Sequence, residues 1–362
     1  MNCSPRELRA HFAGRILQDG LDEEEKLLIL SILPSGSAEI LLEVADKGLS
    51  GSKTFHARYR IPDGLSKRFV VKVGTLRKIE REASAVLQFA APLLDGTNSP
   101  VWRRGETKAV IAQELVNLNR GAQLSSLRNR LRERPDSAES VSRLLRDGLA
   151  PWYEDPIANG PVPMTLDALF SRHVRRGGAV VHPEDWVLLK EWTENLSGVA
   201  WREPSEVIGD LLRRTVRVPK SISHGDLHSQ NILVDPAGRC WPIDFAWCTN
   251  NSSLVVDLVM LECSLKFLAF PMRADLQEMI RLERALTNEY IYSGSLPLMP
   301  YATELRNVLG GLVEVRRFAR DAGISFADYR ACLAVMTSSL ATHAKLNRPL
   351  VLASLQILMG SV

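Results

Sequence analysis

The tightest constraint on this chain is the run of residues 223–244, SHGDLHSQNILVDPAGRCWPID. It sets a carboxylate at Asp226, a carboxamide at Asn231 and a second carboxylate at Asp244, just past a short apolar segment. Residues 231–235 (NILVD) and 240–243 are apolar enough to form two short strands, with Pro236 and Gly238 punctuating the turn between them. Such a hairpin returns Asp244 to the side of Asn231, where two hard oxygen donors can share one divalent cation.

A base that orients a hydroxyl and two oxygen ligands for Mg²⁺ are the parts phosphoryl transfer requires, with Asp226 in the first role and Asn231 and Asp244 in the second. His224-Gly225-Asp226, four residues ahead of Asn231, also has the H-x-D-x-x-x-x-N spacing of protein-kinase catalytic loops. Ile243-Asp244-Phe245 then stands where their D-F-G metal aspartate would be. A lone His-Gly-Asp is usually only a turn and a lone Asp-Phe is noise, so the inference rests on their joint occurrence. With HGDLH in place of HRDL, the stretch resembles the aminoglycoside phosphotransferase and choline-kinase-like branch of that superfamily.

Length and composition fit this reading without proving it. At 362 residues and 40.3 kDa the chain is long for one core and short for three, so two lobes are expected. Hydrophobic residues make up 45% and charged ones 24%, which excludes a disordered or fibrous chain. A net charge of +3 is too mild to argue for nucleic acid as a partner. The five cysteines (Cys3, Cys240, Cys248, Cys263, Cys332) are scattered and lack C-x-x-C pairing, so neither a disulfide framework nor a zinc site is expected. The first residues, MNCSPRELRAHF, are polar where a signal peptide needs an apolar run, and residues 349–360 fall short of the ~20 that span a bilayer. A cytoplasmic protein without a membrane partner is the expectation.

In chain order, residues 1–35 read as a helical extension, with Leu8, Phe12 and Ile16 at four-residue spacing and acids before the apolar run 27–33. Residues 36–117 read as a sheet-bearing lobe. A strand at 40–44 is followed by the glycine-bearing loop 47–53 and by Phe55, Ala57, Tyr59 and Ile61 alternating with polar residues. Glycines let backbone N–H groups approach oxygens closely, so Gly48, Gly51 and Ser52 are candidates for covering nucleotide phosphates, although the same pattern suits a plain hairpin. Lys72 lies inside the apolar strand 68–74, where an ammonium needs a partner or a ligand, or snorkels from an edge strand. A helix over 76–94 carries Glu82 at the edge of its buried stripe as the partner for Lys72, with Glu80 as the fallback. Strands at 100–103 and 108–115 complete a five-stranded antiparallel sheet.

Residues 118–362 read as a mainly helical second lobe, so the fold class expected is α+β, two-lobed and protein-kinase-like. Residues 117–218 are read as mostly helical. Between 120 and 147 seven arginines face four acids, a basic stretch that would repel a polycationic aminoglycoside and suits an anionic or neutral small-molecule acceptor or a partner protein. Asp257 interrupts an apolar helix over 254–267 and must be hydrogen-bonded. Further helices are read over 276–286, 303–322, 326–344 and 349–359.

The resemblance spans roughly residues 40–267 and is specific at Val71-Lys72, at HGDLHSQNILVD, and at IDFA followed by DLVMLE. The last wording is similar to a bacterial subgroup described as ternary-complex-associated domains of conflict systems. The span from Lys72 to Glu82 is short for the main family. The resemblance implies ATP with Lys72 on its phosphates, the loop of Gly48, Gly51 and Ser52 above them, and adenine held at the hinge by the backbone of Gln113 and Val116. It further implies Mg²⁺ on Asn231 and Asp244, Asp226 orienting the acceptor hydroxyl, and His228 beside the acceptor. His224 and Asp257 would be structural supports of the loop. The activity implied is transfer of the γ-phosphoryl group to a small-molecule hydroxyl. The alternative is a non-catalytic or regulatory kinase-like module that binds a nucleotide or a partner protein. Protein phosphorylation is disfavoured because no A-P-E segment follows Asp244.

Overall fold

A period-two pattern dictates the first part of the structure. In the computed structural model, residues 20–32, 39–44, 52–60, 66–90, 100–115, 124–133, 137–150, 153, 160–177, 190, 201–269, 276–292, 303–341, 343 and 346–360 are described. The chain divides into two compact units, residues 1–123 with Ile243–Cys248, and residues 124–242 with 249–362.

The first unit opens with α1 (Glu23–Ser31), started by a capping box in which the Asp22 carboxylate accepts the Glu25 N–H and the Glu25 carboxylate accepts the Asp22 N–H, both at 3.0 Å. Strands β1 (Glu39–Val44), β2 (Lys53–Arg60) and β3 (Ser66–Thr75) follow. Helix α2 (Leu76–Ala85) comes next and widens into a π-helical turn over Val86–Ala90, where the sequence predicted one unbroken helix. Strands β4 (Val101–Arg104) and β5 (Lys108–Glu114) close an antiparallel sheet ordered β1-β2-β3-β5-β4, the five strands and one helix that the sequence predicted.

Alternation puts Phe55, Ala57, Val71, Val73, Val110 and Ala112 on one face, where Leu28 and Ile29 of α1 cover them. Each such large side chain contributes about 1.5–3 kcal/mol on burial. A buried carboxylate, Glu25, ties the helix to the sheet through Lys53 at 2.6 Å and Lys108 at 2.8 Å. The end of the expected extension thus packs on the first sheet, and residues 1–19 lie outside the described residues.

The second unit begins with β6 (Ser125–Ser126), α3 (Leu127–Glu133) and α4 (Ser137–Arg143), the last running into a π-helical turn over Leu144–Leu149. Then come β7 (Pro161–Thr165), α5 (Leu166–Gly177), α6 (Pro204–Arg213) and β8 (Thr215–Ser223). The hairpin strands β9 (Ile232–Val234) and β10 (Cys240–Pro242) and strand β11 (Thr249–Ser253) lead to α7 (Leu254–Ser264), which widens over Leu265–Ala269. The chain ends in α8 (Leu276–Leu286), α9 (Glu289–Tyr292), α10 (Thr303–Asp321), α11 (Phe326–Leu340) and α12 (Arg348–Gly360).

Among the described residues of 117–218 most are helical, as the sequence predicted, and β6, β7 and the start of β8 are strands that it did not show. Prolines hid the last two. Pro161 and Pro163 lie on β7, an edge strand of the sheet β11-β8-β7, where a missing N–H costs no ladder bond on the outer side. Pro219 pairs with Pro161 and sits just beyond Lys220, the last β8 residue opposite β11. Helices dominate the rest: α7 packs on α11 and β8, and α11 on α5 and α12. No helix among the described residues is long and apolar enough to cross a membrane.

Candidate active site

In the first unit the chemistry gathers on one lysine. Lys72 sits in the middle of β3, opposite Thr54 and Ile111, with inner strands on both sides. Its ammonium Nζ lies 2.7 Å from Glu82 Oε2 on α2 and 2.5 Å from Asp244 Oδ1. Lys72 and Glu82 are 6% and 5% exposed, so the edge-strand snorkel is excluded and the ammonium depends on its two partners. The short span from Lys72 to Glu82 does not prevent the ion pair.

Burial alone would depress the Lys72 ammonium, but Glu82 and then Asp244 outweigh it and hold the group above its ordinary value. Burial pushes the Glu82 carboxyl up to about 7; Lys72 opposes that rise and the neighbouring Asp244 adds to it. The ammonium thus lies between two carboxylates, and the Arg81 guanidinium adds a second positive charge near Glu82. Asp244 has φ +66°, the one non-glycine residue with positive φ among those described, a conformation that persists where its surroundings fix it. Arg81, next to Glu82, lies over the Trp247 ring at 5.6 Å from its centroid and ties α2 a second time to the segment that carries Asp244.

In the second unit the chemistry gathers on a loop. Strand β8 ends at Ser223, and the chain turns through His224 and Gly225, whose φ is +77°. The fully buried Asp257 on α7 holds this turn. Its Oδ1 accepts the Gly225 N–H at 2.8 Å and the Ser223 hydroxyl at 3.1 Å, and its Oδ2 accepts the His224 N–H at 2.8 Å and the Tyr153 hydroxyl at 3.1 Å. Burial pushes the Asp257 carboxyl up, opposed by His224 and these donors.

Downstream the loop closes on itself. The Asp226 carbonyl accepts the His228 N–H and the Asn231 Nδ2–H, each at 2.9 Å, and the His228 carbonyl accepts the Asn231 N–H at 2.8 Å. With its Nδ2 so engaged, Asn231 turns Oδ1 away as a hard oxygen donor, the kind Mg²⁺ takes. Among the described residues no group of three or more His, Cys, Asp or Glu side chains could hold a metal ion by itself. A cation on Asn231 or Asp244 would therefore draw further oxygens from phosphate or water, as Mg²⁺ does.

The predicted hairpin is present, with Pro242 opposite Ile232 and Cys240 opposite Val234. Asp235 locks its turn, accepting the Arg239 N–H and Nε–H at 2.9 Å. Arg143 donates to the Ala237 carbonyl at the same turn, and Arg128 donates through Nε to the Leu268 carbonyl at 3.1 Å. Part of the arginine run is thus bound to carbonyl oxygens.

The remaining predicted positions divide as follows. Gly48, Gly51 and Val116 lie outside the described residues. Ser52 packs opposite Gly74, where an added Cβ would come within 2.6 Å of the Ser52 hydroxyl. Gln113 is buried on β5 opposite Val70. His224 is fully buried and its Nδ1 faces the Asp226 N–H at 3.4 Å, while His228 is half-buried on the same loop. Sequence reasoning missed Ser223, Tyr153, His173 and the Arg81–Trp247 pair. Only Ser223 carried a signal, as the hydroxyl next to the loop that Asp257 caps.

An antiparallel sheet with a buried lysine on its third strand paired to a glutamate on the next helix, and an H-G-D loop braced by a buried aspartate, are features of the kinase-like class. Comparison with known proteins finds the following similarities. The family described as Ternary complex associated domain 9 matches residues 167–334. A 3-deoxy-D-manno-octulosonic acid kinase of Xylella fastidiosa (strain M12) is 34% identical over 85 residues, 24% of this chain and 33% of that protein. The chain thus spans about a third of the length of the curated relatives it matches. Among solved structures, aminoglycoside-3'-phosphotransferase of type VIII is 16% identical, over 82% of this chain and 100% of that one, with a TM-score of 0.39. A choline kinase from Streptococcus pneumoniae is 12% identical, over 93% of this chain and 96% of that one, with a TM-score of 0.37. The wording IDFAW with DLVMLE, which resembles the ternary-complex-associated subgroup, lies inside the segment that the Ternary complex associated domain 9 family matches.

Proposed function

We propose that this chain is an ATP-dependent phosphotransferase that moves the γ-phosphoryl group to a hydroxyl of a small molecule with the help of Mg²⁺. The observation that carries the reading is the Lys72 ammonium buried between Glu82 at 2.7 Å and Asp244 at 2.5 Å. A buried ammonium held between two carboxylates suits a site that takes phosphate and a metal together.

In this reading Lys72, aimed by Glu82, binds the phosphates, with the loop of Gly48, Gly51 and Ser52 above them. The backbone of Gln113 and Val116 takes adenine. Asn231 and Asp244 are the metal ligands. Mg²⁺, when bound, supplies positive charge to the phosphate oxygens as negative charge builds there. Asp226 accepts a hydrogen bond from the acceptor hydroxyl and orients it for in-line attack, and His228 contacts the acceptor. Asp257 and His224 hold the loop and take no part in the transfer. Sugar acids are the first acceptors to test, given the curated relative's name and the basic stretch 120–147. A partner protein is the second class of partner. Four thiols without disulfides (Cys240, Cys248, Cys263, Cys332) suit the reducing cytoplasm, where ATP is plentiful.

The test is a transfer screen with γ-labelled ATP and Mg²⁺ against sugar acids, other hydroxylated metabolites and candidate proteins, run beside Asp226→Asn. Transfer should fall by about 10²–10⁴-fold in the variant, with affinity for AMP-PNP retained. Nucleotide binding without transfer in the wild type, unchanged by the substitution, would leave a nucleotide-binding module instead.

A further inference from the structure

The catalytic loop is gripped from a side the reaction scheme does not use. Asp257 takes the N–H of Gly225. The carbonyl of the same Gly225 lies 2.8 Å from Nε2 of His173, which sits 52 residues earlier on α5. A carbonyl oxygen can only accept, so Nε2 carries the proton in this contact. Gly225 is therefore held at both of its backbone polar groups, by a carboxylate on α7 and an imidazole on α5. It is also the residue with φ +77° immediately before Asp226; the Asp257 bond fixes the peptide ahead of Gly225, and the His173 bond fixes the Gly225–Asp226 peptide plane from which the Asp226 residue departs.

The helix that delivers His173 is itself anchored. Thr165 Oγ1 accepts the Ala168 N–H at 3.2 Å at its start, Leu166 N–H bonds to the Arg214 carbonyl at 3.0 Å, and Leu166 and Phe170 are fully buried. The Phe170 ring, one helical turn away, stands 6.1 Å from the imidazole at a tilt of 59° and packs beside it. α5 packs on α11, which in turn packs on α7, so both grips on Gly225 come from helices of one packed layer.

We propose that His173 is a positioning residue for Asp226, acting through the Gly225 carbonyl. The inference rests on the phosphotransferase reading for its effect on turnover and not for the tether itself. The test compares wild type with His173→Leu, which removes the donor, and His173→Gln, whose amide nitrogen reaches the position of Nε2. Two quantities are read: hydrogen exchange of the Gly225 and His228 amides, and the kcat and KM of Mg·ATP hydrolysis with water as acceptor.

In His173→Leu, exchange at these amides should rise at least tenfold and kcat fall at least tenfold, with KM for ATP within twofold of wild type. His173→Gln should restore most of both. Unchanged exchange in His173→Leu, or equal behaviour of the two variants, overturns the tether. Faster exchange with wild-type kcat in every form overturns the positioning role. A wild type that turns over no ATP with water or with any acceptor of the transfer screen sinks the phosphotransferase reading, while the exchange data still decide whether His173 holds the loop.

Discussion

Replacing Asp257 should loosen the loop by an amount that can be worked from its hydrogen bonds. Each carboxylate oxygen accepts one backbone N–H and one hydroxyl: Gly225 and Ser223 on Oδ1, His224 and Tyr153 on Oδ2. Hydroxyls can rotate toward other acceptors, but the two N–H groups are fixed by the backbone. In Asp257→Ala both are left buried and unpaired, at about 1–3 kcal/mol each, so the loss should be about 2–6 kcal/mol. In Asp257→Asn the amide can accept with its oxygen on one side only. Its NH₂ then faces one backbone N–H whichever way it flips, so about half that loss is expected. Urea unfolding followed by tryptophan fluorescence measures both variants. A Asp257→Ala midpoint that corresponds to less than about 0.5 kcal/mol, the scale of a surface substitution, would refute the bracing account. So would an Asn variant no milder than the Ala one.

Two more outcomes follow from buried charge. Glu82 titrates near 7 in the folded chain against an ordinary 4.5, so the native state binds more protons between those values. Its contribution is fully present below about pH 4.5 and is lost as pH rises through 7, a change of about 3 kcal/mol; Glu82→Gln should flatten this slope when unfolding is compared at about pH 5 and about pH 8. Arg316 is fully buried and bonds Glu262 through two nitrogens, at 2.9 and 2.7 Å. Arg316→Met leaves the buried Glu262 carboxylate with only the Tyr329 hydroxyl and the more distant Lys266, and should cost about 3–5 kcal/mol by thermal unfolding, whereas replacing Arg316 and Glu262 together by apolar residues should cost clearly less.

Local chemistry decided what was legible in the sequence. The sheet could be read because β2 and β3 alternate cleanly, and the hairpin because Pro236 and Gly238 mark a turn between two apolar runs. Lys72 and Asp257 stood out as charges inside apolar segments, which always demand a partner. The partners themselves were less visible. Glu82 could be chosen from helical spacing, but Tyr153 reaches Asp257 from 104 residues away and His173 reaches Gly225 from 52, and one sequence has no record of such distances. Strands β7 and β8 were hidden because their prolines suppress strand propensity, a local preference that pairing with each other overrides.

The same limit applies to α7, the helix that joins the loop to the rest of its unit. Composition makes it look like a plain core helix, yet it carries Asp257 and Glu262, and Lys266 follows in its π-helical end, all buried. Glu262 accepts Arg316 and the Tyr329 hydroxyl, and Lys266 lies 2.7 Å from Glu283. Pairs of this kind add little net stability, because desolvation offsets most of their attraction. Their effect is on registry. A helix with apolar residues all round can rotate about its axis with little change in buried area, whereas turning this one by a single residue, about 100°, would part Glu262 from Arg316 and Lys266 from Glu283 at several kcal/mol each. The rotation so fixed also aims Asp257 at the amides of His224 and Gly225. The charges far from the loop therefore determine which way the brace of Asp226 points.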